Sequence, residues 1–301
     1  MARGYVPLLL FLSSLWGASY LFIKVGVEEM EPATLMALRL VLAGAVLLAI
    51  LSARLGFRHA VAELRATGRH GVILGVMNGV VPFWLIAWGE KHIDSGIAAI
   101  ANSTVPIFVA LLAVRLNPTE RSTGLRLVGI LVGLLGVGVL AGLHPQGGWP
   151  AVAGTLAVVV ASLCYAGGNL YTQHNFAGTA PLVIATAAVL SGAVAILPLG
   201  LAQLPDQLPS FKALGSVAAL GIAGTAIASL VLYHMLNTYG SSRTALVTYL
   251  LPAFALFYGA LLLGEPLTLN ALLGLFLILA GVALGSGLVR TARRAPAVAE
   301  T

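Results

Sequence analysis

Ten long apolar runs divide this sequence, and each is about as long as a bilayer is thick. A helix needs about 20 apolar residues to cross the hydrocarbon core of a membrane. Because lipid offers the backbone no hydrogen-bond partner, such runs are expected to be helical. The sequence therefore predicts an all-α polytopic membrane protein with ten transmembrane helices. Their approximate ranges are 5–27, 33–52, 71–89, 94–114, 124–143, 151–172, 180–202, 213–236, 241–263 and 268–289.

The charge content excludes a soluble globular chain of this length. Only 9% of the residues are charged and 59% are hydrophobic, whereas a soluble domain carries about 25% charged residues. The net charge of +6 could suit nucleic acid, but the basic residues are scattered over the connections rather than gathered on one face. We therefore expect the lipid bilayer as a partner and no nucleic acid. A single cysteine, Cys164, and dispersed histidines predict no metal site, and no cofactor is expected.

Basic residues predict how the helices are oriented. The connections on the side of the N-terminus carry nearly all the loop Lys and Arg residues, whereas the opposite connections carry only Lys91 and Lys212. Basic loops tend to stay in the cytoplasm. We therefore expect a multi-pass protein of the inner (plasma) membrane with both termini cytoplasmic. Arg3 and the apolar residues after it could also form a secretory signal, but the run continues to Val27, which favours a membrane helix.

An internal repeat relates the two halves of the chain. Segment 95–99 and the helix to Pro106 match segment 241–245 and the helix to Pro252, and Gly75 matches Gly221 at the same spacing. Further matches pair Glu120, Gly129 and Gly136 with Glu265, Gly274 and Gly281, and Pro32 with Pro181. An odd number of helices per repeat inverts the second half, which is a recurring transporter plan with a central cavity. We predict two inverted five-helix repeats, 1–146 and 147–289, and a cytoplasmic tail, 290–301.

Several short motifs resemble the EamA branch of the drug/metabolite transporter superfamily. They are the first-helix segment 15–24 (Leu-Trp-Gly-Ala-Ser-Tyr-Leu-Phe-Ile-Lys), Arg39 in the second helix, and 264–268 (Gly-Glu-Pro-Leu-Thr) followed by Gly274 and Gly281. The resemblance implies inverted halves, a central cavity and alternating access, in a family whose members include exporters of amino acids and other metabolites. The segment 117–120 departs from the pattern of the first half.

Polar residues in the middle of helices are candidates for lining the cavity. Pro82, Pro106 and Pro252 each remove a backbone hydrogen bond and predict helix kinks. The freed carbonyls belong to Asn78, Asn102 and Thr248, and the two amides add polar side chains at the same depth. Such groups are tolerated where a wet cavity or a neighbouring helix satisfies them. A substrate contact and a hydrogen bond between helices both remain open for these residues.

Aromatic side chains and glycines complete the pattern. Trp16, Tyr165 and Tyr249 lie within helices, where rings with polar tips suit a pocket for small organic substrates. The glycine strings at 129–138 and 281–285 have neither the preceding strand nor the following Lys-Ser/Thr of a phosphate loop. We therefore expect them to allow close packing between helices.

Two charges, Lys24 and Arg39, lie within predicted helices and are functional candidates for that reason. Lys24 can reach outward to Glu28, one turn later on the same face, and Arg39 can contact an acidic group of the outer loop. We interpret all three residues as gating or ion-pair candidates, with contacts to a substrate carboxylate as the alternative. All ten carboxylates fall in loops or at helix ends, so the sequence does not support proton exchange through a buried acid.

The sequence therefore predicts an alternating-access transporter, an exporter of amino acids or related small metabolites. A carrier of drugs, nucleosides or sugar conjugates is the alternative within the same class. A membrane-embedded enzyme would need clustered acids, histidines or metal ligands near one interface, and the six histidines lie on separate segments. A scaffold or receptor is disfavoured because no sizeable extramembrane domain is present. The oligomeric state stays open, and a monomer is compatible with the sequence.

Overall fold

The computed structural model of the protein describes residues 4–116, 125–141, 148–239, 244 and 246–285, and the regular elements within these ranges are helices. The predicted tail 290–301, the predicted repeat boundary at 146/147, and Glu120 with segment 241–243 of the repeat lie outside them. The helices are α1 (Tyr5–Val27), α2 (Pro32–Leu55), α3 (Phe57–Gly75), α4 (Val81–Glu90), α5 (Ser95–Asn102), α6 (Val105–Leu116), α7 (Leu125–Ala141), α8 (Gly148–Asn175), α9 (Pro181–Ala202), α10 (Phe211–Ala218), α11 (Ala228–Tyr239), α12 (Val247–Tyr258) and α13 (Leu269–Gly285). Three π-helical turns, Val76–Val80, Ala219–Ile227 and Gly259–Leu263, follow α3, α10 and α12.

Six helical segments of the described chain are long and apolar enough to cross a membrane: Tyr5–Val27, Pro32–Leu55, Phe57–Glu90, Gly148–Asn175, Pro181–Ala202 and Phe211–Leu232. Four shorter apolar segments accompany them: Ser95–Val109, Leu127–Leu140, Val247–Leu263 and Leu269–Leu284. The predicted class, an all-helical multi-pass membrane protein, is confirmed. Ten crossings and the inverted repeat remain predictions.

Helices from the two halves of the chain pack extensively against each other. α1 contacts α12, α2 contacts α9, α4 contacts α8, and α7 contacts α13. A buried apolar core runs through these contacts, with Leu12, Leu35, Leu40, Ile100 and Ile278 among its fully buried side chains. The space between the halves is therefore where polar groups are shielded from both lipid and water.

Glycines bring α7 and α13 together. A Cβ atom on Gly281 would lie 2.5 Å from the backbone nitrogen of Gly133 and 2.6 Å from the carbonyl oxygen of Gly129. A Cβ atom on Gly136 would lie 2.9 Å from the backbone nitrogen of Ile278. Side chains larger than hydrogen do not fit at these distances without a backbone shift. The prediction that the glycine strings serve helix packing is confirmed for Gly133, Gly136 and Gly281, whereas a Cβ atom on Gly138 would meet nothing within 4 Å.

The predicted helix 94–114 is broken rather than kinked. α5 ends at Asn102, α6 begins at Val105, and a turn joins them. Pro106 cannot donate to the carbonyl of Asn102. The Thr104 hydroxyl donates to the carbonyl oxygen of Ala101 at 2.8 Å, which satisfies one group of the broken turn.

Pro82 and Pro252 disrupt their helices less than Pro106 does. Pro82 follows the π-helical turn Val76–Val80, in which the Val81 backbone N–H bonds the carbonyl five residues back, at Val76. Pro252 lies inside α12, which continues to Tyr258.

Helix α3 begins earlier than predicted. Residues 57–67, which were expected to form a loop, are helical up to a break at Gly68, whose φ is 50°.

Four connections meet at one end of the bundle, which we name the acidic end: 28–31, 91–94, 203–210 and 264–268. Lys91 Nζ contacts Glu31 Oε1 at 2.8 Å, and the Ser210 backbone N–H donates to Glu29 Oε2 at 2.6 Å. These contacts join three of the four connections. The fourth is held through Glu265, which bonds the start of α5.

Candidate functional site

Arg39 lies buried in α2 and is only 5% exposed. Its Nε donates to Thr225 Oγ1 at 2.9 Å, and its guanidinium carbon lies 3.9 Å from the centroid of the Phe83 ring. A hydrogen bond and a cation–π contact together stabilise a charge that is removed from water. Among the described residues, the acidic group near enough to interact with Arg39 is Glu90 rather than a residue of the loop 28–31, and the gating role of Arg39 stays a prediction. Thr225 belongs to a π-helical turn of the second half, so Arg39 ties the two halves together.

Lys24 caps a helix instead of pairing with Glu28. Its Nζ donates to the backbone carbonyl oxygens of Glu90, at 2.7 Å, and Ile93, at 2.8 Å. The last carbonyls of a helix have no partner within it and carry partial negative charge, which an ammonium group offsets. Glu28 instead faces Lys212, with 3.7 Å between Oε2 and Nζ. The predicted Lys24–Glu28 pair is wrong, and a gating role for either residue stays a prediction.

Glu90, the last residue of α4, is fully buried, at 0% exposure. Neither of its carboxylate oxygens has a hydrogen-bond partner in the part of the chain that the structure describes. The charged groups near enough to interact with it are Lys24, Glu265 and Arg39. A residue at a helix end is buried when neighbouring helices extend past it, which the sequence pattern does not reveal. Glu90 lies at a helix end, as the sequence predicted for every carboxylate, but its burial contradicts the expectation that the chain has no buried acid.

Tyr20 and Asn102 extend this group of charges toward α8. Tyr20 lies one turn before Lys24, beside the Asn102 side chain and within electrostatic range of Tyr165, Glu90 and Arg39. Asn102 Oδ1 accepts a hydrogen bond from Ser162 Oγ of α8 at 3.1 Å. Both halves thus contribute polar groups to one buried region. We name it the central polar cluster, comprising Tyr20, Lys24, Arg39, Glu90, Asn102 and Tyr165.

Asn78 faces α8 from the π-helical turn after α3. A Cβ atom on Gly168 would collide with the Asn78 side chain, so this glycine leaves the space that the amide occupies. Asn78 Oδ1 is buried and has no hydrogen-bond partner among the described residues. An amide oxygen in this state is available to a donor on a bound molecule. Its assignment to a substrate cavity stays a prediction.

The predicted aromatic residues share one hydrophobic core. Trp16, Tyr165 and Tyr249 are half-buried and pack against the same set of buried apolar side chains. Thr248 is also half-buried, next to Tyr249 in α12. The structure thus brings the candidates of α1, α8 and α12 to one interior region between the halves. Their contact with substrate stays a prediction.

Glu265 has a structural role that the sequence pattern did not assign. Its carboxylate accepts hydrogen bonds from the Ser95 backbone N–H and hydroxyl, each at 2.8 Å, and from the Gly96 N–H at 3.2 Å. Asp94, the residue before α5, makes no such capping bond with its own side chain. Burial and the neighbouring Glu265 raise the pKa of Asp94, while Lys24 opposes this shift. A glutamate from the second half therefore caps the helix that carries Asn102.

A cavity of about 360 Å³ opens at the acidic end. Glu28, Glu31 and Lys91 are among its lining residues, together with Gln203 and Asp206. Of the residues predicted to contact substrate or gate its path, this cavity includes only Glu28. The other candidates do not line this cavity.

The sequence comparison decides the family. The EamA-like transporter family matches residues 4–142 and again 152–287. The chain belongs to the EamA-like transporter family. In this member of the family, Glu265 of the Gly264-Glu265 motif caps α5.

Relatives in other organisms extend this membership. The chain is 29% identical to an uncharacterized transporter of Archaeoglobus fulgidus, over 89% of this chain and 93% of the relative. It is also 29% identical to a probable terminal-alkyne amino-acid exporter of Streptantibioticus cattleyicolor, over 89% of each chain. A solved crystal structure matches the fold with a TM-score of 0.67 and 21% identity, over 96% of this chain and 99% of the other. The match confirms the fold of this EamA-like chain.

Proposed function

We propose that this EamA-like protein is an alternating-access transporter that exports amino acids or related small metabolites across the plasma membrane. In this account ten helices cross the membrane as two inverted five-helix repeats, 1–146 and 147–289, and both termini are cytoplasmic. The substrate passes between the halves. The observation that carries the proposal is the central polar cluster, in which Tyr20, Arg39 and Glu90 are buried and Lys24, Asn102 and Tyr165 are half-buried. Arg39 and Asn102 of this cluster are hydrogen-bonded to Thr225 and Ser162 of the second half.

Equivalent contacts in the two halves support the inverted repeat. A Cβ atom on Gly75 would lie 2.6 Å from the carbonyl oxygen of Ala188 in α9, and one on Gly221 would lie 3.1 Å from that of Arg39 in α2. The sequence repeat pairs Gly75 with Gly221, and the spacing of Pro32 and Pro181 pairs Arg39 with Ala188. The π-helical turns Val76–Val80 and Ala219–Ile227 also follow these paired glycines or contain them.

Side-chain bonds between the halves support a substrate path there. Besides the Arg39–Thr225 bond, the Ser14 and Tyr258 hydroxyls lie 2.7 Å apart, as do His70 Nδ1 and the Tyr171 hydroxyl. Hydrogen bonds between side chains can break and re-form when two rigid halves rock against each other. An interface made only of apolar side chains would offer no polar surface to a solute. This arrangement suits alternating access around a central site.

The chemistry of Arg39 in the cluster and of three interior residues outside it, Asn78, Trp16 and Tyr249, favours small zwitterionic solutes. Arg39 supplies a permanent positive charge for a carboxylate, and Asn78 supplies an amide oxygen without a partner among the described residues. The half-buried rings of Trp16 and Tyr249 give an apolar wall for a side chain. The relative named as a probable amino-acid exporter points the same way.

Counterflow in proteoliposomes tests the proposal. Vesicles containing purified protein are loaded with one unlabelled solute at a time, and uptake of the labelled solute is followed for amino acids, nucleosides and sugars. We expect saturable exchange of a few amino acids. Asn102→Ala removes one hydrogen-bonding amide and should lower exchange at limiting substrate about fivefold to tenfold.

Asn270→Ala is the matched control, because Asn270 is an exposed amide at the start of α13. It should exchange amino acids like the unmodified protein. Exchange of nucleosides or sugars in place of amino acids would move the substrate to the alternative class. Equal exchange by Asn102→Ala and Asn270→Ala would place the substrate path elsewhere.

A further inference from the structure

We infer that Glu90 is the proton-binding group of this transporter, taking up and releasing the proton that is exchanged for substrate. The inference rests on the proposed function and adds the coupling ion to it. Glu90 is the feature of the central polar cluster that binding of a zwitterion leaves unexplained, since its two oxygens are buried and make no hydrogen bond within the described chain.

The burial of Glu90 requires an explanation in physical terms. An ionised carboxylate that leaves water without hydrogen bonds loses its hydration and gains nothing equivalent, at a cost of several kcal/mol. A buried acid avoids this cost when it carries its proton. The conformation described here is therefore one in which Glu90 is a neutral acid. A conformation that admits water to Glu90 lets it ionise.

The charged and titratable groups around Glu90 come from α1, α2 and the connection before α13. α1 presents Lys24 and Tyr20, α2 presents Arg39, and the connection before α13 presents Glu265. The Lys24 ammonium group is occupied by the carbonyl oxygens of Glu90 and Ile93 rather than by the carboxylate. α5, Ser95–Asn102, contains no titratable side chain.

The remaining neighbour, α8, contacts α4 next to Glu90 through backbone and apolar atoms. A Cβ atom on Gly89 would lie 2.8 Å from the carbonyl oxygen of Gly154 and 3.0 Å from the Val158 side chain. Two cations and one acid thus surround Glu90, with Asp94 next to both Lys24 and Glu265. The cations favour release of the proton once water reaches the carboxylate, while burial favours its retention.

Glu90 also lies between two regions that a proton could reach in turn. Its chain neighbour Lys91 lines the cavity at the acidic end, as does Val27, three residues after Lys24. On the other side, Tyr20 and Asn102 lead toward Ser162 of α8. A small movement of the Lys24 cap would open Glu90 to the cavity, and a movement between the halves would open it to the interior.

The exchange balances in atoms and charge. On the outer side the Glu90 carboxylate takes one proton from water and becomes a neutral acid. On the cytoplasmic side the O–H bond breaks, the proton returns to water, and the carboxylate is regenerated. One substrate molecule leaves the cell in the same cycle. For a zwitterionic substrate the cycle therefore moves one positive charge inward.

Proteoliposomes that contain a pH-sensitive dye test the inference. The membrane potential is clamped with potassium and valinomycin, and an amino acid that supports counterflow is added on one side. The unmodified protein should move protons in the direction opposite to the amino acid. Glu90→Gln can neither bind nor release a proton, so its substrate-driven proton flux should fall to the level of protein-free vesicles, whatever counterflow it retains. Glu31→Gln, which alters an exposed acid of the acidic end, should keep both.

Two results would overturn the inference while leaving transport intact: counterflow without proton movement in the unmodified protein, or an undiminished proton flux in Glu90→Gln. A second measurement needs no variant. A hydrophobic carbodiimide reacts with protonated carboxyl groups in apolar surroundings, and mass spectrometry locates the adduct. We expect modification of Glu90 that declines as the pH is raised. A Glu90 peptide that stays unmodified at every pH would also overturn the inference. Loss of counterflow for every solute would instead count against the proposed function.

Discussion

The carboxylates at the acidic end contribute differently to stability, depending on their hydrogen-bond and ion-pair partners. Glu265 accepts three hydrogen bonds from the first residues of α5, whereas Glu31 makes one exposed ion pair with Lys91. Helix N-termini present N–H groups without partners and a partial positive charge, so a carboxylate there is stabilising. Exposed ion pairs contribute little because water screens both charges. Stability should therefore respond to Glu265 and hardly at all to Glu31.

Glu265→Gln is expected to lower the stability of the folded protein in detergent by about 1–2 kcal/mol, the usual worth of a helix cap. The amide keeps one acceptor oxygen but loses the charge and the second acceptor. Thermal unfolding followed by size-exclusion chromatography measures the change. Glu31→Gln, which loses one exposed ion pair, is the control. Equal melting temperatures for both variants would contradict the capping role.

Glu29 gives the acidic end a dependence on pH. The Ser210 hydroxyl and then its backbone N–H donate to the Glu29 carboxylate and hold the pKa of this group below its usual value of 4.5. Because the folded pKa is the lower one, the stabilisation is fully present above the unfolded pKa and is lost as the pH falls through the folded value. We expect Glu29→Gln to be less stable than the unmodified protein at neutral pH, with the difference shrinking as the pH falls below 4.5 and lost below the folded pKa of Glu29. A difference that grows on acidification would contradict this assignment.

At the scale of elements, α7 and α13 are held together by glycines on both helices. The backbone atoms of Gly129 and Gly133 lie where a side chain on Gly281 would have to go. Backbones in such contact gain dispersion energy, and glycines have no side-chain entropy to lose. Helices associate through such packing in lipid, where no hydrophobic effect drives them together. The same helix α7 also carries Gly138, around which a Cβ atom would meet nothing within 4 Å.

Gly281→Ala should destabilise the protein by about 1–3 kcal/mol, the usual cost of overpacking. Gly138→Ala is the matched control, and the higher helix propensity of alanine should leave it equal or slightly more stable. Melting temperatures in detergent, measured at the same protein concentration, compare the two. A stable Gly281→Ala variant would mean that the α7–α13 contact is looser than described.

The pattern of apolar residues was enough to predict these helices but not the side-chain contacts that their ends make with one another. Apolar runs and glycine spacing predicted the helices and the tight α7–α13 contact, because both follow from local sequence. Lys24 and Arg39 were misjudged because their partners lie on helices that are distant in sequence. Glu90 was misjudged because elements that are distant in sequence bury it. Lys24 reaches carbonyls of Glu90 and Ile93, which no side-chain pattern marks. The break before Pro106 was expected only as a kink, since a proline alone does not fix how much of a turn is lost.

For the whole molecule, the fold places the acidic connections at one end of the long helices and the basic residues at the α2–α3 junction at the other end. The distribution of Lys and Arg predicts that both termini lie in the cytoplasm. The contacts among connections 28–31, 91–94 and 203–210 agree with a common outer face. Orientation is therefore a property of the entire chain that a few labelled positions can test.

Cysteine labelling in intact cells tests this orientation. The chain has one cysteine, so Cys164→Ser gives a background free of thiols. Asp206→Cys and His59→Cys then place single thiols at exposed positions on opposite ends. We expect a membrane-impermeant maleimide to label position 206 from outside and position 59 only after the cells are opened. The reverse pattern would invert the proposed topology and with it the direction of export.

Solute exchange by the purified protein is the most direct measurement of the central claim. Labelled amino acid is added to proteoliposomes loaded with the same unlabelled amino acid, and its transient accumulation is compared with that in protein-free vesicles. The account predicts saturable accumulation for a few amino acids, driven only by the outward gradient of unlabelled solute. Folded protein that accumulates none of the amino acids, nucleosides or sugars tested would contradict the claim that this chain carries small metabolites between its two halves.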